Sequence, residues 1–258
     1  MKKFELTTEF ITNTFGKKLF RIKALVEFGN VKAGELGGYV EKEENISQDG
    51  NAWVSGNAEV FDNAEVFDNA RVSGNARVHG DAEVYGNARI FGNAKVYNNA
   101  WVFGNAEVSG DAKVSGNAWV SGNARVYGDA WACGNAWVYG DAWACGNAWV
   151  RGNARVSGDA RVYGNAWVSG NARVYGDAWV SGDADYALVQ GFGTEFRCTT
   201  FYRGKNKKIM VNCGCFHGDL EGFRKQVKET RNGKIAKEYL MIADLMEYHF
   251  TSEDSSNE

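Results

Sequence analysis

The chain has no proline and three histidines in 258 residues, its five cysteines are scattered, and its net charge is only −3. Each scarcity excludes something. Glycine recurs every sixth residue and proline is absent, so a collagen-type helix is ruled out. An odd, uneven set of cysteines is no secreted disulfide framework. No apolar run approaches the ~20 residues that cross a bilayer. The opening MKKFELTTEF places Glu5 and Glu9 where a signal peptide needs an unbroken apolar core, so a cytoplasmic chain without a membrane partner is expected. So small a net charge implies no polyanionic partner by itself. Hydrophobic residues make up 44%, too many for a disordered chain.

What is present is a hexad, G-[ND]-A-x-V-x′, repeated 22 times from Gly50 to Ser181 without an insertion. Within it A-x-V-x′ has the period of a strand, with Ala and Val facing inward. Gly and Asn/Asp tolerate positive φ and turn the corner. A chain that turns every six residues winds into a solenoid whose short strands pair with their equivalents one coil on, about 4.8 Å away. Three hexads per coil give a triangular left-handed parallel β-helix with 18 residues per turn; two give a flat 12-residue coil. The doubled GDAWACGNAWVY motif from Gly128 favours two if it reflects contact, but a core of Val and Ala between two sheets is very thin, so three is the expectation. Stacked turn asparagines should then bond along the axis. Ala132 and Ala144 replace the inward Val, which suggests a local change of coil shape near residues 130–146 and an interface there.

Three segments follow: a β cap (1–49), the solenoid (50–185) and a small α+β cap (186–258). Both ends of a repeat stack need covering, because they expose core and unpaired strand edges. The first segment carries LFRIKALVEF, with Phe20, Ile22, Ala24, Val26 and Phe28 expected on one strand face. The last carries strand-like TEFRCTTFYR and KKIMVNCGCF. Two helices should follow, one N-capped by Asp219 and one with a stripe of Ile235, Tyr239, Ile242, Met246 and Phe250.

The outward x position holds all nine tryptophans, and after Glu107 it holds only Trp, Arg or Lys. Aromatic and basic side chains dominate protein interfaces, so the expected binding residues are Trp101, Trp119, Trp131, Trp137, Trp143, Trp149, Trp167 and Trp179, with Tyr127, Tyr139, Arg125, Arg155 and Arg173. In the triangular register Trp101, Trp119 and Trp137 form one ladder and Trp131, Trp149 and Trp167 another. Stacked indoles and guanidinium groups would also stiffen the sheets whatever they bind. In the C-terminal segment Cys198, Cys213, Cys215 and His217 could form a Cys3His zinc site if their strands pair suitably; otherwise no cofactor is implied. Asp141, Asp159 and Asp177 would stack at one corner, where a calcium ion could relieve their repulsion.

The hexad resembles that of the hexapeptide acyltransferases, and AGELGGYVEKEENISQDGNAWV (Ala33 to Val54), followed by runs of GNARVYG and GDARVYG, resembles the YdcK-like bacterial β-solenoid family. That resemblance implies a solenoid with an N-terminal strand cap and brings no settled activity. VNCGCFHGDLEGFRKQVKET and AKEYL resemble a module of phage and prophage proteins. The acyltransferases use a histidine base beside a loop extruded from the coil. Here the repeats hold a single histidine, His79, at an outward x′ position, and no extruded loop. An ice-binding array is excluded, since the repeats contain no Thr. The expectation is a non-enzymatic binding solenoid, associating with itself and with a host protein, in one form a phage inhibitor that sequesters a defence component. A transferase, or a nucleotide- or nucleic-acid-binding solenoid, is the alternative.

Overall fold

The computed structural model describes residues 2–205 and 207–251. Each hexad contributes a two-residue rung that pairs, in parallel and in register, with the rung 18 residues on; Trp101 faces Trp119, and Trp119 faces Trp137. Three hexads therefore make a coil, and the 12-residue coil does not form. The twelve-residue repeat reflects the sequence and not contact: Trp131 and Trp143 lie on different faces.

The rungs form three sheets. The first runs through Glu59, Arg77, Lys95, Lys113, Trp131, Trp149 and Trp167; the second from Trp53 to Trp179; the third from Glu65 to Arg173. Inside, the Ala and Val of every hexad are fully buried. Ala132 and Ala144 keep register, pairing with Val114 and Val150 and with Val126 and Val162, so the coil does not change shape there. They thin the core of one turn. Because valine fills the rungs on either side of each, Ala132→Val and Ala144→Val should fit, each adding ~1 kcal/mol. Thermal unfolding checks this: a rise of roughly 2–4 °C per substitution is expected.

The corners show why the hexad reads as it does. Gly134 has φ +71°, and a Cβ there would lie 3.0 Å from the backbone nitrogen of Gly152 in the next coil. Three corners nonetheless carry side chains, Asp62, Asp68 and Asn98, all at positive φ. Each sits beneath a glycine of the following coil, Gly80, Gly86 and Gly116. Asp62 and Asp68 use their carboxylates to accept the N–H of those first two glycines, at 3.2 and 3.1 Å. The neighbouring Asn positions form amide ladders. In the column Asn99, Asn117, Asn135, Asn153, Asn171, an Nδ2–H passes from each residue to the next one's Oδ1 at 3.0–3.1 Å. A second column runs Asn69, Asn87, Asn105, Asn123 and ends where Asn123 donates to Asp141 at 2.9 Å, because an ionised carboxylate accepts but cannot donate onward.

The backbone bonds make the two ends unlike. Asn57, Glu59 and Phe61 donate their N–H groups forward, to the carbonyls of Gly74, Ala76 and Val78. The corresponding carbonyls of the first coil therefore need donors from outside it. Three devices supply them. On the first sheet, strand β3 (Leu36–Val40) pairs with the rung at Glu59 and gives the Tyr39 N–H to Ala58. On the third, the buried Asn45 donates to the carbonyls of Asp62 and Ala64 at 3.1 and 2.9 Å. On the second, the Lys3 ammonium reaches the carbonyls of Asp49, Gly50 and Ala52 at 3.1–3.4 Å, burial holding its pKa down at about 8. The far end needs acceptors. Thr200 Oγ1 takes the Arg173 N–H, and the Asp185 carboxylate takes that of Ser181.

Strands β1 (Phe4–Thr12) and β2 (Lys18–Ala24) extend the first sheet, β2 pairing antiparallel with β3 and β1 antiparallel with β2. The strand expected through Phe28 stops at Ala24, and β2 buries apolar groups on both of its faces. Ile22 enters the solenoid core, and Leu19 packs with Tyr39 and Phe61 on the other side. At the far end a four-stranded antiparallel sheet is followed by α1 (Leu220–Thr230), capped by Asp219 accepting the Gly222 N–H at 2.9 Å, and α2 (Gly233–Thr251). Tyr202 of this sheet joins the solenoid core. Phe201, Val211 and the apolar stripe of α2 form a separate core on the opposite side. No helix among the described residues is long and apolar enough to cross a membrane.

Candidate binding surfaces

The outer columns divide the tryptophans among all three faces, so no single aromatic wall exists. Trp53, counted among the outward residues, is buried beneath the N-terminal strands, edge-on to Phe4 and Phe28.

On the third face the expected ladder is present. Trp101, Trp119 and Trp137 stack with centroids 5.0 and 4.8 Å apart and planes within 6° of parallel. The Arg155 guanidinium covers the next face of Trp137 at 4.5 Å. Both ring faces of Trp119 and Trp137 are thus occupied, leaving their edges for a partner, while the first face of Trp101 looks onto the Glu83 rung. The second face alternates cation and ring. Trp143 lies between Arg125 and Arg161, at 5.4 and 4.5 Å, and Arg161 also lies 5.4 Å from Trp179. Each such contact contributes roughly 0.5–1 kcal/mol at an exposed site. Earlier on this face Glu107 sits between Arg89 and Arg125, bridging both at 3.5 and 3.6 Å.

On the first face Trp131, Trp149 and Trp167 meet edge to face, with centroids 5.0 and 5.3 Å apart. The Trp131 indole donates to Ser115 Oγ at 2.9 Å, and Arg151 lies 4.1 Å from Trp167. Trp167 is the most exposed of the nine, at 39%. Tyr127 and Tyr139 stand edge-on to Trp143 and Trp137. Burial and a hydrogen bond with Cys145 push the Tyr127 hydroxyl up to about 12, and burial with a bond to Tyr139 raises that of Tyr175.

His79 lies in a stack between Phe61 and Tyr97, at 4.7 and 5.3 Å, with Phe15 also against it. Burial lowers its pKa, and its Nδ1 is 3.9 Å from the Asp62 carboxylate. The imidazole is thus one ring in an aromatic column, and its position matches that of the Phe and Tyr around it.

The Cys3His zinc site does not assemble. Thr199 pairs with Cys213 and Asn212 with His217, so strand alternation puts Cys198 and His217 on the solenoid side of the sheet and Cys213 on the helix side. Cys198 Sγ bonds the Asn171 carbonyl, Cys213 Sγ accepts from Thr199, and His217 Nε2 lies 3.0 Å from the Tyr202 hydroxyl. Cys215 is exposed in the turn between them. Among the described residues no three Asp, Glu, His or Cys side chains are placed to hold a metal, the Asp141, Asp159 and Asp177 corner included.

One cleft was not foreseen. Where the third face meets the C-terminal sheet, a half-open cleft of about 730 Å³ is lined by Asn135, Trp137, Asn153, Arg155, Asn171 and Arg173 from the solenoid, with Gln190, Cys198 and Gly214 from the module. Among the described residues no carboxylate lines it. The sequence could supply the arginines but not the partner wall, since Gln190 and Gly214 reach it only through the docking of the last sheet on the last coil.

A family model described as the YdcK β-solenoid repeat matches residues 64–80, 118–134, 154–170 and 166–182. All four matches lie within the repeats, so nothing in them supports the phage-type reading of the C-terminal module. No curated protein matches the chain.

Proposed function

Taking as premise that the repeats of this chain belong to the YdcK β-solenoid repeat family, we propose that the protein acts by binding rather than catalysis, and that its first partner is a second copy of itself. The order of side chains on the first face supports this reading. From Arg77 the column runs Arg77, Lys95, Lys113, then Trp131, Trp149, Trp167: three cations followed by three indoles at one spacing. A two-fold axis between Lys113 and Trp131 would lay the column antiparallel on its copy. It would set Lys113 against Trp131 and Lys95 against Trp149 on both sides. Two-fold interfaces are self-complementary in this way, and cation–π contacts strengthen as water is excluded. Arg77 is partly engaged already, with Glu59 at 3.5 Å, and Lys113 lies 5.4 Å over Trp131 of its own column, which leaves Lys95 against Trp149 as the pair the contact would newly form. Binding of a host protein would use the same aromatic edges.

Light scattering after size exclusion tests the proposal. At ~50 µM, enough to populate a complex of micromolar affinity, the wild-type chain should run as a dimer and a Lys95→Glu, Lys113→Glu variant as a monomer. A monomeric wild-type chain, or a variant that still dimerises, would overturn it.

A further inference from the structure

We propose that the cleft between the third face and the C-terminal sheet binds a phosphorylated small molecule of nucleotide size. Arg155 and Arg173 occupy successive rungs of one column, paired in register. Two guanidinium groups this close repel; Glu107 relieves one such column by standing between Arg89 and Arg125, while Arg71 with Arg89, and Arg77 with Lys95 and Lys113, follow one another without a carboxylate between them. No acidic rung separates Arg155 from Arg173, and among the described residues none that lines the cleft is acidic, so an anion that enters it meets two guanidinium groups and no carboxylate. Planar guanidinium groups pair with carboxylate and phosphate oxygens alike; two of them side by side favour a phosphate ester, with its greater charge and additional oxygens, over a halide or a lone carboxylate.

The rest of the wall suits the remainder of such a ligand. Asn135, Asn153 and Asn171 present a row of amides, held by their own ladder at 3.0 and 3.1 Å, and Gln190 faces them from the module. These are donors and acceptors for hydroxyls or ring heteroatoms. Trp137 offers an indole edge, its faces being covered by Trp119 and Arg155. The walls are fixed to each other by Arg173 N–H on Thr200 Oγ1 and by Cys198 on the Asn171 carbonyl, so little ordering accompanies binding. A volume of about 730 Å³ lies in the range of small-molecule sites.

Calorimetric titration with adenosine diphosphate, inorganic phosphate and a thymidine dodecamer tests the assignment. The diphosphate should bind more tightly than phosphate, and raising salt should weaken both. Arg155→Gln with Arg173→Gln should weaken the diphosphate ~10-fold or more, as expected for loss of charge-assisted hydrogen bonds. Arg173→Lys should retain part of the affinity, and unchanged thermal midpoints would show that the solenoid is intact. The proposal is overturned if the wild-type chain binds neither diphosphate nor phosphate at ~1 mM. It is also overturned if the double glutamine variant binds diphosphate as the wild type does, or if only the dodecamer binds.

Discussion

Replacing Asn45 by Asp should destabilise the protein by ~3 kcal/mol or more at neutral pH, the scale of a buried polar group turned against its neighbours. Asn45 is fully buried, donates to the carbonyls of Asp62 and Ala64, and accepts the Lys42 N–H through Oδ1. An aspartate keeps the shape and loses both donors, leaving an anion against two carbonyl oxygens. The sign of its pH dependence follows. Burial and the facing carbonyls raise its folded pKa above the ~3.9 of an unfolded aspartate, so the folded state binds the extra proton and stability falls as pH rises through that raised value. Acidification should therefore rescue the variant in part, because a protonated carboxyl donates one hydrogen bond. Amide exchange should show the first coil opening while later coils remain protected, since repeat arrays lose structure locally from their ends. A variant as stable as the parent at pH 7 would mean that the third sheet does not depend on this cap.

The second large effect is expected at the corners. Gly134→Val puts a β-branched residue at φ +71° with its Cβ 3.0 Å from the Gly152 nitrogen, so the backbone strain of a branched side chain in the left-handed region adds to a tight contact; the cost should be roughly 3–5 kcal/mol. Gly134→Asn should cost only ~1 kcal/mol, because asparagine tolerates this region and Asn98 already occupies it beneath a glycine. Gly80→Asn should be worse than Gly134→Asn. Its Cβ would lie 2.8 Å from the nitrogen of Asn98, which is itself one of the three exceptions. Denaturant midpoints of the three variants check the order: Gly134→Val should be the most destabilised, Gly80→Asn intermediate and Gly134→Asn the least.

These corners also show how much was legible beforehand. Two inward positions per hexad and two turn-formers specify strand, corner and coil, and the register of Trp101, Trp119 and Trp137 followed from them once the coil length was known. The asparagine ladders and the α1 cap at Asp219 were equally local. What escaped the sequence depended on contacts made across it. Trp53 has the same hexad position as Trp101, yet the N-terminal strands fold over it. Cys198 and Cys213 look like a pair of ligands until strand pairing turns them to opposite faces. The thinned core at Ala132 and Ala144 suggested a bent coil, but backbone pairing is indifferent to the smaller inward side chains. The cation-to-indole order of the first face is present in the sequence, but sampled only every eighteenth residue.

The central claim is that the outer columns are recognition surface and not only bracing for the sheets. Hydroxyl-radical footprinting of the tryptophans over a concentration series tests it most directly. The account predicts that Trp149 and Trp167 become protected as concentration rises while Trp101 and Trp119, closed in their own stack, do not change. Uniform reactivity at every concentration, with the first face as open in concentrated as in dilute solution, would contradict it.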